Sequence, residues 1–148
     1  MTLNELKQLF MRDLERLGAE VSAYAGESLL WHVRGDIANS GGNLCLHLCG
    51  NLRHYVGHVL GGSDYRRDRE HEFAARDIPL ETLKQEIAAT QREVGQTLDK
   101  LEEEQLSAVY PEKVLGYEMS TGYFLIHLYG HLNYHLGQIN YHRRLTAG

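Results

Sequence analysis

Between Ser120 and Leu145, apolar residues recur at Leu125, Leu128, Leu132, Leu136 and Ile139, while His127, His131 and His135 follow one another at intervals of four. Steps of three and four place the apolar side chains on one helix face, which a neighbouring helix has to cover. At about 100° per residue the imidazoles form a column beside that stripe. The segment therefore predicts a bundle helix whose histidines look into a cleft between helices. Gln138 and His142 continue the column, and Arg143 and Arg144 suit the negative end of the helix dipole.

The remaining chain supplies partners for such a helix. Leu3, Leu6, Phe10, Leu14, Leu17, Val21 and Tyr24 give an amphipathic first helix starting near Thr2. Gly35, Asn39, Ser40, Gly41 and Gly42 mark a loop, with Ser40 placed to cap a second helix from about Asn43 to Leu60. Its buried face carries Leu44, Leu48, Leu52, Tyr55 and Val59, edged by His47, Asn51, His54 and His58, before a Gly61-Gly62 stop. After a charged linker, Pro79 introduces a third helix through Leu80, Leu83, Ile87, Val94, Leu98 and Leu101. A crossover from Glu104 to Ser120 follows, where Ser107–Tyr110 and Lys113–Tyr117 predict a short hairpin. The expectation is an all-α four-helix bundle with a long crossover before the last helix, formed by one domain over residues 1–148.

The charge balance narrows the function. A net charge of -5 with no stripe of lysine and arginine argues against a nucleic-acid surface. No apolar run has the length of a membrane span, and the polar start Met1-Thr2-Leu3-Asn4 lacks a signal-peptide core, so a cytoplasmic location and no membrane partner are expected. Cys45 and Cys49, four apart on one helix, are badly placed for a disulfide and read as small core residues, with a thiolate ligand or reactive thiol as the minority reading. The signs alternate in Arg66-Arg67-Asp68-Arg69-Glu70-His71-Glu72, which reads as a solvated or salt-bridged loop.

Two helices, each with a histidine row beside an apolar stripe, bring those rows together when they pack. Taken singly, each histidine is more often a hydrogen-bonded packing residue than a ligand. Taken together, they match the way bundles build metal sites. Three neutral imidazoles suit zinc, nickel, iron or copper, and do not suit calcium or magnesium, which require oxygen ligands.

The segments Asn43-Leu44-Cys45-Leu46-His47-Leu48-Cys49-Gly50-Asn51-Leu52-Arg53 and His131-Leu132-Asn133-Tyr134-His135-Leu136-Gly137-Gln138 resemble the DinB-like (DinB/YfiT) superfamily of metal-binding bundles. With Asn39-Ser40 and Arg66-x-Asp68-Arg69-Glu70-x-Glu72-Phe73, they are similar to a bacterial branch of unknown function within it. The likeness is close over Trp31 to Phe73 and Tyr123 to Arg144, and elsewhere extends only to helix pattern. It implies an up-down-down-up bundle, a homodimer, and a divalent metal, zinc or nickel foremost, held by His47, His131 and His135. Asn43, Asn51, His127, Tyr134 and Gln138 are then candidates for orienting the ligands or lining the pocket, or else capping and inter-helix residues. His54 and His58 match no ligand position. Leu136 stands where many members carry arginine, a departure that bears on any anionic ligand.

Better-known relatives use bacillithiol or mycothiol. The resemblance thus implies a thiol-dependent S-transferase acting on small electrophiles in detoxification or stress, with a non-catalytic metal- or small-ligand-binding bundle as the alternative. The blandest reading is a structural bundle whose histidines are packing residues.

Overall fold

A computed structural model describes residues 1–147. Helix α1 (Leu3–Ser22) starts with a reciprocal cap, in which Thr2 Oγ1 accepts from the Glu5 amide and Glu5 accepts from the Thr2 amide. Its buried face holds Leu6, Phe10, Leu14, Leu17 and Val21, and Tyr24 packs into the core just past the helix end. Helix α2 (Gly41–Leu52) begins two residues earlier than the periodicity indicated, at the Ser40 cap. It continues as a π-helical turn, Arg53–His58, rather than as α-helix to Leu60. Next come a short helix α3 (Arg69–Ala74) capped by Asp68, then α4 (Leu80–Lys100) directly after Pro79, and α5 (Thr121–Thr146) capped by Ser120.

Cross-helix contacts fix the directions. Lys7 meets Asp99 and Glu15 meets Gln91, so α1 and α4 run antiparallel. Asp13 meets Asn133 and Glu20 meets Asn140, so α1 and α5 run parallel. The π turn's Arg53 pairs with Glu86 and Glu93, and Gly61 abuts Thr97, which makes α2 parallel to α4. Together these give the up-down-down-up bundle, with α1 and α2 each packed between α4 and α5.

The crossover corrects one expectation. No hairpin forms between Ser107–Tyr110 and Lys113–Tyr117; Glu103–Ser107 is a 3-10 turn, and Val109 instead forms a single antiparallel bridge to Ser120. Tyr110 decides this, because its ring is buried and its hydroxyl donates to the Tyr55 carbonyl at 2.7 Å, inside the π turn. A π turn disturbs the regular backbone ladder, and this bond satisfies one of its carbonyls. The five apolar residues of the α5 stripe are all buried, each side chain contributing about 1.5–3 kcal/mol. Among the described residues, no helix is long and apolar enough to cross a membrane.

Candidate metal centre

Because α2 and α5 are antiparallel neighbours, His47 near the middle of α2 comes to face His131 and His135. One ring nitrogen from each of the three lies within 4.8 Å of the others. The Nε2 atoms of His47 and His131 are 3.1 Å apart, and the rings of His131 and His135 stand edge to face with centroids 4.6 Å apart. His47 is buried, and its two partners are half-buried.

Two neighbours set the proton positions. The Glu72 carboxylate accepts from His47 Nδ1 at 3.0 Å, so that nitrogen carries the proton and Nε2 turns a lone pair towards the other rings. Gln138 Oε1 accepts from His135 Nδ1 at 2.6 Å, with the same result. Arg67 donates to both Glu72 oxygens at 2.9 Å and holds the carboxylate in place. Burial pushes the Glu72 carboxyl up, but the bonds from His47 and Arg67 outweigh it and leave the group below its usual range, ionised. Burial, aided by the neighbouring histidines and Arg67, drives His131 down to about 3. Burial also lowers His135, although its bond to Gln138 opposes the shift. Both are therefore neutral near pH 7, the state that can ligate.

The donor set fits a borderline divalent ion. Metal–nitrogen bonds of 2.0–2.1 Å in a tetrahedral site separate two nitrogens by about 3.3 Å, close to the 3.1 Å found between His47 and His131. His131 Nδ1 is buried without a partner in the protein, so no neighbouring side chain fixes its tautomer as Glu72 and Gln138 fix those of the other two rings. Three protein nitrogens leave a coordination position open.

Neither Glu72 nor Arg67 has a role legible in the alternating charges of their segment, which is salt-bridged through this pair and is helical from Arg69 rather than a loop. Their approach depends on Gly50, since a Cβ there would stand 1.9 Å from Glu72 Oε2. Asn43 serves the same end from outside the cluster. Its amide donates to the carbonyls of Glu72 and Ala75 and its oxygen accepts from Ser40 and Arg76, so it pins α3 to the start of α2 without touching the triad.

The other histidines of the two rows do not join. The π turn rotates the end of α2, leaving His54 and His58 stacked on each other, with His58 Nδ1 bonded to the Ser63 carbonyl. His142 is buried between the Tyr24 hydroxyl and the His32 carbonyl and does not join the three-histidine cluster. His127 stacks on Phe124 beside the triad, and Asn51 lies buried there with Oδ1 unpartnered. Tyr134 is 66% exposed and meets only the edge of the His135 ring. Cys45 and Cys49 are buried and free, and a bond from Cys49 together with burial holds the Cys45 thiol protonated; neither belongs to the ligand cluster.

A helical up-down-down-up bundle with three histidines meeting between α2 and α5 defines the class of protein. The profile of the DinB superfamily matches residues 10–139, and the chain belongs to that superfamily. A conserved protein from Enterococcus faecalis has the same fold, with a TM-score of 0.76 over 99% of this chain and 98% of its own, at 18% identity. No curated protein matches the chain in sequence.

Proposed function

We propose that the protein is a divalent-metal-dependent S-transferase that joins a low-molecular-weight thiol to a small electrophile. The observation that carries this reading is the convergence of His47, His131 and His135, two of them held by Glu72 and Gln138 in the tautomer that presents Nε2. Zinc and nickel are among the ions such a neutral nitrogen set accepts and are the two the family resemblance puts foremost; either would supply Lewis acidity that keeps a bound thiol as thiolate. Bacillithiol and mycothiol are the thiols that the family resemblance points to.

The chain's own residues set up the transfer. In this reading His127, which stacks on Phe124 beside the triad and makes no side-chain hydrogen bond among the described residues, would take the thiol proton. The sulfur then forms its bond to the electrophilic carbon while the leaving group departs with its electron pair. Glu72 and Gln138 keep two of the rings from turning. Elemental analysis of untagged protein and of its His47→Ala variant tests the centre. About one zinc or nickel per chain, lost in the variant, supports it, and absence of metal after incubation with either ion removes it. Turnover of a generic electrophile with a thiol panel then separates a transferase from a non-catalytic binder. Among the described residues Glu72 is the carboxylate that meets the cluster, and it is already committed to Arg67 and His47, which favours the binder reading.

A homodimer is part of the proposal. Tyr134, Tyr141 and Leu145 lie exposed along α5, with Gly130 and Gly137 also outward and open space where their Cβ atoms would stand. Glycine inside a helix costs about 1 kcal/mol, and close approach of the same helix from a second copy gives it a use.

A further inference from the structure

Beside the triad the surface opens into a pocket of about 180 Å3, below the roughly 300 Å3 at which cavities begin to take drug-sized molecules. It suits a small molecule or one end of a larger one. One wall is apolar, formed by Phe124, Leu128 and Val114. The other carries Arg67, Arg69 and Asn51, and no carboxylate lines the pocket.

The two arginines differ. The charge of Arg67 is spent on Glu72 through two hydrogen bonds. Arg69 makes no ion pair among the described residues; its guanidinium lies over the Phe73 ring, 5.2 Å from the centroid, and that ring in turn packs on His47. A guanidinium offers paired donors matched to a carboxylate, and among the described residues none accepts those of Arg69.

Asn51 adds a second demand. The residue is only 7% exposed, and its Oδ1 has no hydrogen-bond donor from the protein. A buried acceptor left unpaired is unfavourable, so a group bound in the pocket gains by donating to it.

We propose that this pocket binds a small carboxylate that also carries an N–H or O–H donor, its carboxylate on Arg69, its donor on Asn51 Oδ1 and its apolar part against Phe124 and Leu128. The proposal deepens the reading of the triad as a metal centre, since a ligand seated there lies against His131, but the recognition rests on Arg69 and Asn51, which are not ligands.

Three probes of nearly equal size separate the two demands. N-acetylglycine has the charge and the N–H, N-acetylglycinamide lacks the charge, and N-acetylsarcosine lacks the N–H. Calorimetric titration of the zinc-loaded full chain is expected to show N-acetylglycine binding about tenfold tighter than either twin. Arg69→Gln is expected to bring it to the level of N-acetylglycinamide, and Asn51→Ala to the level of N-acetylsarcosine, with zinc content unchanged. Equal affinities for the three probes overturn the proposal. So does N-acetylglycine affinity that survives Arg69→Gln, the result of direct ligation to zinc. Failure of the metal reading looks different: zinc is absent by elemental analysis. The same titration on metal-free protein then decides the pocket alone, and loss of the preference for charge there overturns it too.

Discussion

Glu72 accepts a hydrogen bond from His47 Nδ1 at 3.0 Å although the two residues stand 25 positions apart on different helices. The contact fixes the ring's tautomer and its angle, and Arg67 fixes the carboxylate in turn. Replacing Glu72 by Gln keeps the shape and an acceptor oxygen but removes the charge and leaves Arg67 unpaired. Zinc affinity, measured by competition with a chromophoric chelator, is expected to fall about 10–100-fold with little change in helicity. An unchanged affinity removes Glu72 from any role at the centre.

Gly50 makes that contact possible, so a methyl group there has to push Glu72 away. Gly50→Ala is expected to lower stability by about 1–3 kcal/mol, and zinc affinity with it. Gly18, inside α1 with open space around it, is the contrast. Gly18→Ala is expected to raise stability by about 0.5–1 kcal/mol, an upward shift of about 1.5–3 °C in Tm. Opposite signs in a thermal melt confirm that crowding at Glu72, not helix propensity, sets the Gly50 effect.

Asp13 is fully buried between α1 and α5, accepting from Tyr129 and Asn133 as well as from Arg12 and Arg16. Burial pushes its carboxyl up, and the bonds from Arg12, Tyr129 and Asn133 outweigh it, so the folded value lies below the ordinary 3.8. A depressed folded value means that the unfolded chain binds the proton more readily. The contribution is therefore complete above about pH 4 and is lost as pH falls through the folded value. Asp13→Asn is expected to cost about 1–3 kcal/mol at pH 7 by urea titration, and the gap to the parent protein should narrow below pH 4. A gap constant down to pH 2 contradicts the assignment.

The proposed dimer is tested by sedimentation velocity. The parent chain is expected at twice the chain mass, and a variant carrying both Tyr134→Glu and Tyr141→Glu at the chain mass, because charges on the outer face of α5 would be buried against each other. A parent protein that stays monomeric at every concentration removes the dimer.

Periodicity alone marked α1, α4 and α5 to within a few residues, because each must bury one stripe of apolar side chains and period 3.6 shows where that stripe runs. The side-chain caps at Thr2 and Ser40 were equally local, since a short polar side chain satisfies amides only two or three residues away. The histidine columns were visible for the same reason. What spacing could not supply was which members of the two columns meet. That depends on the antiparallel register of α2 against α5, and on a π turn that no pattern announced and that carries His54 and His58 away. The hairpin expected in the crossover failed for a related reason, since burial of Tyr110 against the π turn outweighed local strand preference. Glu72, Arg67 and Gly50 lay furthest from view. Their contacts join a charged segment to a helix many residues distant, and only packing in three dimensions brings a carboxylate onto a histidine where glycine leaves it room. Periodicity and caps are short-range physics, so a helical bundle with histidines along one seam is legible from the residues alone. The tertiary structure decided which three imidazoles face one another and what holds them, because register and long-range hydrogen bonds exist only once the helices have packed.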